Sequence, residues 1–189
     1  MLKKLACAIT LLAVSSFSHA RGIDVKLAEK VAEFTYLTES ATFGYGGADF
    51  GFSLLFTEND DYQVSANIMI SGSPAGNNQA LQYGIGGKIM FITLDAVNED
   101  VGALALAGQI RYIIPSQTPI AFVAGIAYAP SITSFGGADN FIEYNFSIEL
   151  EVTPSARAYI GYRKMEYEID TGFDFEVDNG ANIGIKFEF

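Results

Sequence analysis

Apolar and polar residues alternate along much of this chain, most cleanly between Phe141 and Val152. Ile142, Tyr144, Phe146, Ile148, Leu150 and Val152 take every second position, with Glu143, Asn145, Ser147, Glu149 and Glu151 between them. Period two marks a strand with one apolar and one polar face. Folding the chain at Thr153-Pro154-Ser155 sets Val152 opposite Ala156, Leu150 opposite Ala158, Ile148 opposite Ile160 and Phe146 opposite Tyr162, so the apolar faces coincide. The same register puts Glu151 against Arg157 and Asn145 against Arg163 on the polar face.

Two further hairpins follow the same logic. One turns at Pro115-Ser116-Gln117-Thr118-Pro119 and faces Ile110, Tyr112 and Ile114 with Ala124, Phe122 and Ile120. The other turns at Glu58-Asn59-Asp60-Asp61 and pairs Phe56 with Tyr62, Leu54 with Val64, Phe52 with Ala66 and Phe50 with Ile68. The closing stretch alternates Ala181, Ile183, Ile185, Phe187 and Phe189 with Asn182, Gly184, Lys186 and Glu188. Counted back from the end, the pattern predicts about eight strands: 48–58, 62–71, 80–94, 101–114, 120–130, 140–152, 156–169 and 178–189. The segment 21–47 is open between two readings. Leu27, Val31 and Phe34 have helical spacing, whereas Phe34, Tyr36 and Phe43 with nearby Gly suit an added hairpin, which would make about ten strands.

The apolar face is continuous and holds bulky Phe, Tyr, Ile and Leu, and the other face holds Gly, Ala, Ser, Asn and charged residues. That distribution suits large side chains meeting lipid around a narrow, polar lumen. Each run has roughly the ten residues a tilted strand needs to cross a bilayer. The expected fold is therefore an all-β, antiparallel transmembrane β-barrel over 48–189. With Phe189 at the inner rim, 115–119 and 153–155 become inner turns, and 131–139 and 169–177 become outer loops. Tyr62, Phe91, Tyr128 and Tyr144 then form an outer aromatic girdle, and Phe50, Tyr83, Tyr112, Phe122 and Phe189 an inner one.

The first twenty residues set the compartment. Lys3 and Lys4 precede an apolar run from Leu5 to Val14, and Ser18-His19-Ala20 offers a small-residue cleavage site, so residues 1–20 read as a secretory signal peptide. Its removal takes away the only Cys (Cys7), the only His (His19) and two of the 11 basic residues, leaving nine against 22 acidic ones. Such an acidic chain is a poor partner for nucleic acid, whose binding depends on basic residues displacing counterions. Ser-His, Cys-His and His-ligated zinc chemistry are excluded for residues 21–189, and no catalytic residue, cofactor or metal is expected.

Lys88, Arg111, Glu143, Glu149, Glu151, Arg157, Arg163 and Lys186 should all project into the lumen. In an eight-stranded barrel side chains fill the interior and these charges lock the fold; with ten strands a narrow channel for passive diffusion becomes the alternative. Glu58, Asp60, Asp61, Asp95, Glu99, Asp100, Asp139, Asp170, Asp174, Glu176 and Asp178 crowd the outer end. They read either as a solvated acidic rim or as a collector of divalent cations bridging to lipopolysaccharide phosphates. The expected partners are outer-membrane lipid and lipopolysaccharide together with the barrel-assembly machinery.

The chain resembles the YfaZ family of Gram-negative outer-membrane proteins over roughly 48–189. The resemblance is carried by the leader, Tyr128-Ala129-Pro130-Ser131 before a Gly- and Asp-containing loop, Ile160-Gly161-Tyr162-Arg163, and the closing Asn182-Ile183-Gly184-Ile185-Lys186-Phe187-Glu188-Phe189. Ile183, Ile185, Phe187 and Phe189 also resemble the C-terminal signature that outer-membrane barrels present for assembly. The family resemblance implies a barrel in the cell outer membrane and supplies no catalytic residue.

Overall fold

The computed structural model describes residues 22–39, 48–74, 80–94, 99–169 and 173–189; the expected leader lies outside them. Eleven strands form one sheet: β1 (Gly22–Ala28), β2 (Val31–Glu39), β3 (Ala48–Thr57), β4 (Tyr62–Gly72), β5 (Leu81–Leu94), β6 (Glu99–Ile114), β7 (Ile120–Ala129), β8 (Ser134–Phe135), β9 (Ala138–Thr153), β10 (Ala156–Ile169) and β11 (Phe173–Glu188). All pairs are antiparallel. β1 pairs with β11 and β5 with β6, so every strand except the two-residue β8 joins a closed ring of ten. β8 follows a 3-10 turn at Ser131–Thr133 and pairs with β6 outside that ring.

The barrel thus has ten strands rather than eight, and the difference lies in β1 and β2. They pair around Glu29 and Lys30, with Val25 opposite Phe34 and Leu27 opposite Ala32. The helical spacing of Leu27, Val31 and Phe34 is a coincidence of this tight turn, which shifts the phase of alternation. Val31 is buried inside the ring, while Leu27 and Phe34 face out.

The sequence registers of the three hairpins hold at Ile148–Ile160, Tyr112–Phe122 and Leu54–Val64. One pair differs: Ala156 faces Thr153 rather than Val152, because the ladder shifts between Ala156 and Arg157. The expected outer loops also shorten. β9 begins at Ala138, and β10 and β11 extend to Ile169 and from Phe173, so most of 169–177 is strand.

Following partners once around the ring shows how the sheet closes. Ile114 leads through Ile120, Leu150, Ala158, Ile185, Val25, Phe34, Leu54, Val64 and Phe91 to Gly102. The circuit returns to its own strand twelve residues from where it began, as the numbers of Ile114 and Gly102 show. With a rise of about 3.3 Å per residue and a spacing of about 4.8 Å between strands, that stagger tilts the strands by about 40°. The circuit is also a continuous outward belt of apolar side chains, ending where the Phe135 ring covers Gly102 and packs 5.4 Å from the Phe91 ring.

The belt does not run the full length of the strands. Along β10, Ile160 and Tyr162 face outward, followed on the same face by Lys164, Glu166 and Glu168; inward, Arg157, Tyr159 and Arg163 give way to Met165, Tyr167 and Ile169. Polarity inverts at Arg163-Lys164. Toward the strand ends that carry Gly22 and Glu188, here the terminal end, the wall is apolar outside and polar inside, as hydrocarbon requires. Toward the opposite, loop end β10 is polar outside and apolar inside, as water requires.

Replacing Ile148 on the belt with Arg should destabilise the barrel by about 2–4 kcal/mol. Ser147→Arg, which points into the lumen, should cost less than half as much. Equilibrium unfolding in lipid vesicles, read by heat-modifiable gel migration, measures both, and equal costs would contradict the assignment of faces.

Candidate functional site: a layered lumen

The inward side chains form three layers. At the loop end Leu55, Met90, Ile92, Phe141, Met165 and Tyr167 are essentially fully buried and belong to one apolar cluster filled out by small residues such as Ala103 and Ala129. The rings of Phe141 and Tyr167 are 4.7 Å apart, and the Tyr167 hydroxyl donates to Gln63 Oε1 at 3.0 Å. Burying large side chains here stabilises the extended strands in the way a soluble core does, at about 1.5–3 kcal/mol for each large apolar side chain.

A charge layer follows directly beneath. On β2, β5, β9 and β10 the inward position next to an apolar plug residue is ionic: Glu33 beside Val31, Lys88 beside Met90, Glu143 beside Phe141, Arg163 beside Met165. Arg163, only 1% exposed, is held between Glu33 and Asp178, with its Nε 2.6 Å from Asp178 Oδ2. Lys26 reaches Glu33 at 3.3 Å and Lys88 reaches Glu143 at 2.6 Å. Three cations therefore meet three carboxylates, so the layer is neutral as a whole, which makes its burial tolerable.

The third layer, toward the terminal end, is polar and spacious. Arg111 pairs with Glu149 at 2.5 Å, and Arg157 grips Glu188 with two hydrogen bonds of 2.8 and 3.1 Å. These side chains border a cavity of about 570 Å³. A deeper chamber of about 140 Å³, sharing Gln109, Arg111, Glu149 and Lys186 with it, reaches Asp24 and Tyr159, whose hydroxyl donates to Asp24 at 2.7 Å.

The lumen stays open here because glycines sit opposite large polar side chains. Asn67 lies across Gly51, Asn145 across Gly125, and the Tyr159 ring across Gly184, each pair being direct cross-strand partners. A Cβ at any of these glycines would collide with its partner.

All eight charged residues singled out from the sequence stand on inward faces, but their partners are not all those the hairpins suggested. Arg157, opposite Glu151 in the ladder, pairs instead with Glu188. Arg163 draws its partners from β2 and β11. Glu33, Lys26, Asp24, Tyr159 and Glu188 were missed, although Ile23, Val25 and Leu27 alternating with Asp24 and Lys26 carried the strand signal. Asp61 and Asp178, expected on the outer rim, are buried; a bulge leaves Val177 and Asp178 both inside. Glu58, Asp60, Glu99, Asp100, Asp174 and Glu176 are exposed at the loop end and Asp139 is half-buried there, while Asp95 and Asp170 lie outside the described residues. Ile183, Ile185, Phe187 and Phe189 face outward at the terminal end.

The profile of the YfaZ precursor family matches residues 1–189, the whole chain. No curated protein matches the sequence. Among solved structures, the chain is similar to the KdgM porin, with 8% identity, a TM-score of 0.45 and coverage of 89% of this chain and 98% of that one. It is also similar to the outer membrane channel DcaP of Acinetobacter baumannii, with 10% identity, a TM-score of 0.40 and coverage of 88% and 54%.

Removing Arg163 strands the buried Asp178 carboxylate and leaves Glu33 with Lys26 alone, so Arg163→Ala should cost about 3–5 kcal/mol. Arg157→Ala, at a partly hydrated pair, should cost about 1 kcal/mol or less. Thermal unfolding of the two variants side by side checks the ranking, and the reverse order would contradict the layered lumen.

Proposed function

Since the chain belongs to the YfaZ precursor family and folds as a closed barrel with an apolar outer belt, we propose that its mature form is a non-enzymatic integral barrel of the outer membrane. Its role is structural or one of surface contact, and its lumen is sealed. One observation carries this reading: the apolar cluster around Phe141, Met165 and Tyr167 fills the lumen at the loop end. An ion entering from the terminal end would meet first the neutral charge layer and then a dry core, and burying an unpaired charge there is prohibitive.

Orientation follows from the belt and the strand ends. The terminal end faces the periplasm, where the outward Ile183, Ile185, Phe187 and Phe189 present the signature read by the assembly machinery. The loop end faces outward, and its exposed carboxylates, Glu58, Asp60, Glu99, Asp100, Asp174 and Glu176, either form a solvated rim or hold Ca²⁺ or Mg²⁺ against lipopolysaccharide phosphates. Catalysis has no support, because residues 21–189 hold neither His nor Cys and the inward carboxylates are largely committed to Arg and Lys.

A narrow channel is the second reading. Ten strands favour it, since the ring is wider than one of eight, as do the two joined polar chambers on one side. The refolded mature protein in a planar bilayer, after heat-modifiable migration confirms folding, separates the two. A sealed barrel gives no unitary current; steady, salt-dependent openings would replace it with the channel reading and make the inward charges its selectivity residues.

A further inference from the structure

The polar chambers hold an unused set of hydrogen-bonding groups. Asn67, Gln82 and Gln109 line the larger cavity, and Gln109, Asn145 and Asn182 the deeper one. Elsewhere in the lumen polar side chains are tied to one another: Thr35 to Ser53, Tyr159 to Asp24, Tyr167 to Gln63. These five carboxamides make no side-chain hydrogen bond among the described residues, yet they line two adjoining chambers that share Gln109, Arg111, Glu149 and Lys186.

The surrounding charges narrow what that space can accept. Arg111 and Arg157 are neutralised by Glu149 and Glu188. Lys186 and Glu151, of opposite sign, border the same cavity. An anion would meet Asp49, Glu149, Glu151 and Glu188 as well as the cations, and a cation would meet Arg111, Arg157 and Lys186, so neither sign gains a strong net field. The remaining specificity lies with the carboxamides, each of which offers both an acceptor oxygen and donor N–H groups. A hydroxyl group likewise donates and accepts, and uses both halves of an amide; an ammonium only donates and a carboxylate only accepts. The volume lies within the range of small-molecule sites, about 300–1,000 Å³.

We propose that this terminal-end cavity binds a small neutral saccharide, of one or two sugar rings, entering from the side that carries Gly22 and Phe189. Binding there does not require conduction, so the inference stands apart from the sealed-barrel reading and fails separately from it.

The side-chain amide protons of the folded, full mature chain in nanodiscs report directly on this site by NMR. Titration with sucrose should shift the Asn67, Gln82 and Gln109 carboxamide signals in a saturable way and leave those of Asn59, on the loop-end turn, and Asn179, on the outer face, unmoved. Gln109→Met, close in shape but without the amide, should weaken the fitted affinity by about tenfold. If that variant does not fold, the titration of the unaltered protein decides alone. No saturable shift up to the solubility of sucrose would overturn the proposal. So would glycine or inorganic phosphate moving the same signals at lower concentration, since the site would then select charge rather than hydroxyl groups.

Discussion

Closure of the hydrogen-bond ladder between β1 and β11 is the constraint on which everything else in this molecule rests. Within hydrocarbon no water is available to satisfy a backbone N–H or C=O, so a sheet can stand there only if it has no free edge. Gly22 to Ala28 supply the last ladder, pairing residue for residue with Glu188 to Asn182. Once the ring is closed with a stagger of twelve residues, which side chains point inward and which inward neighbours meet are no longer free choices. Glu33 reaches Arg163 because β1 brings β2 round to the far side of β11 and β10.

The same ring stands in two solvents, and the side chains record where one replaces the other. Along β10, below Lys164 the surroundings reward apolar side chains outside and leave the interior polar; above it the surroundings are water and the reward reverses. The charge layer sits at the crossover, where Lys26, Lys88 and Arg163 meet Glu33, Glu143 and Asp178. Desolvation makes such ions unfavourable singly, but as a neutral cluster they bridge β1, β2, β5, β9, β10 and β11 across the lumen. The apolar plug shields them from the loop-end solvent, while the glycine-flanked carboxamides keep the opposite chamber open.

Much of this was legible in the sequence. Period two gave the strands, and matched apolar faces gave the registers of three hairpins to within one bulge. The fold class and the inward position of Lys88, Arg111, Glu143 and Arg163 followed from alternation alone. Strand number was legible only as eight or ten, because the two-residue turn at Glu29-Lys30 shifts the phase and lets Leu27, Val31 and Phe34 imitate a helix. Nor were the ion-pair partners, which depend on ring closure rather than on neighbours along the chain. Asp178 was obscured by the bulge at Val177, which turns consecutive residues inward. The alternation in Arg163-Lys164-Met165-Glu166-Tyr167-Glu168-Ile169 is itself a readable signal of inverted polarity, since the charged residues change faces at its start.

The central claim, that the described residues leave the lumen open at the terminal end and seal it at the loop end, is tested most directly by one-sided thiol labelling. Residues 21–189 contain no Cys, so Ser147→Cys, in the deeper chamber, gives a single reporter in protein reconstituted into vesicles. Ser116→Cys and Asp174→Cys, at the terminal and loop ends, establish orientation. A small, charged, membrane-impermeant methanethiosulfonate should modify position 147 only from the side on which position 116 reacts; modification from the side of position 174 would contradict the account.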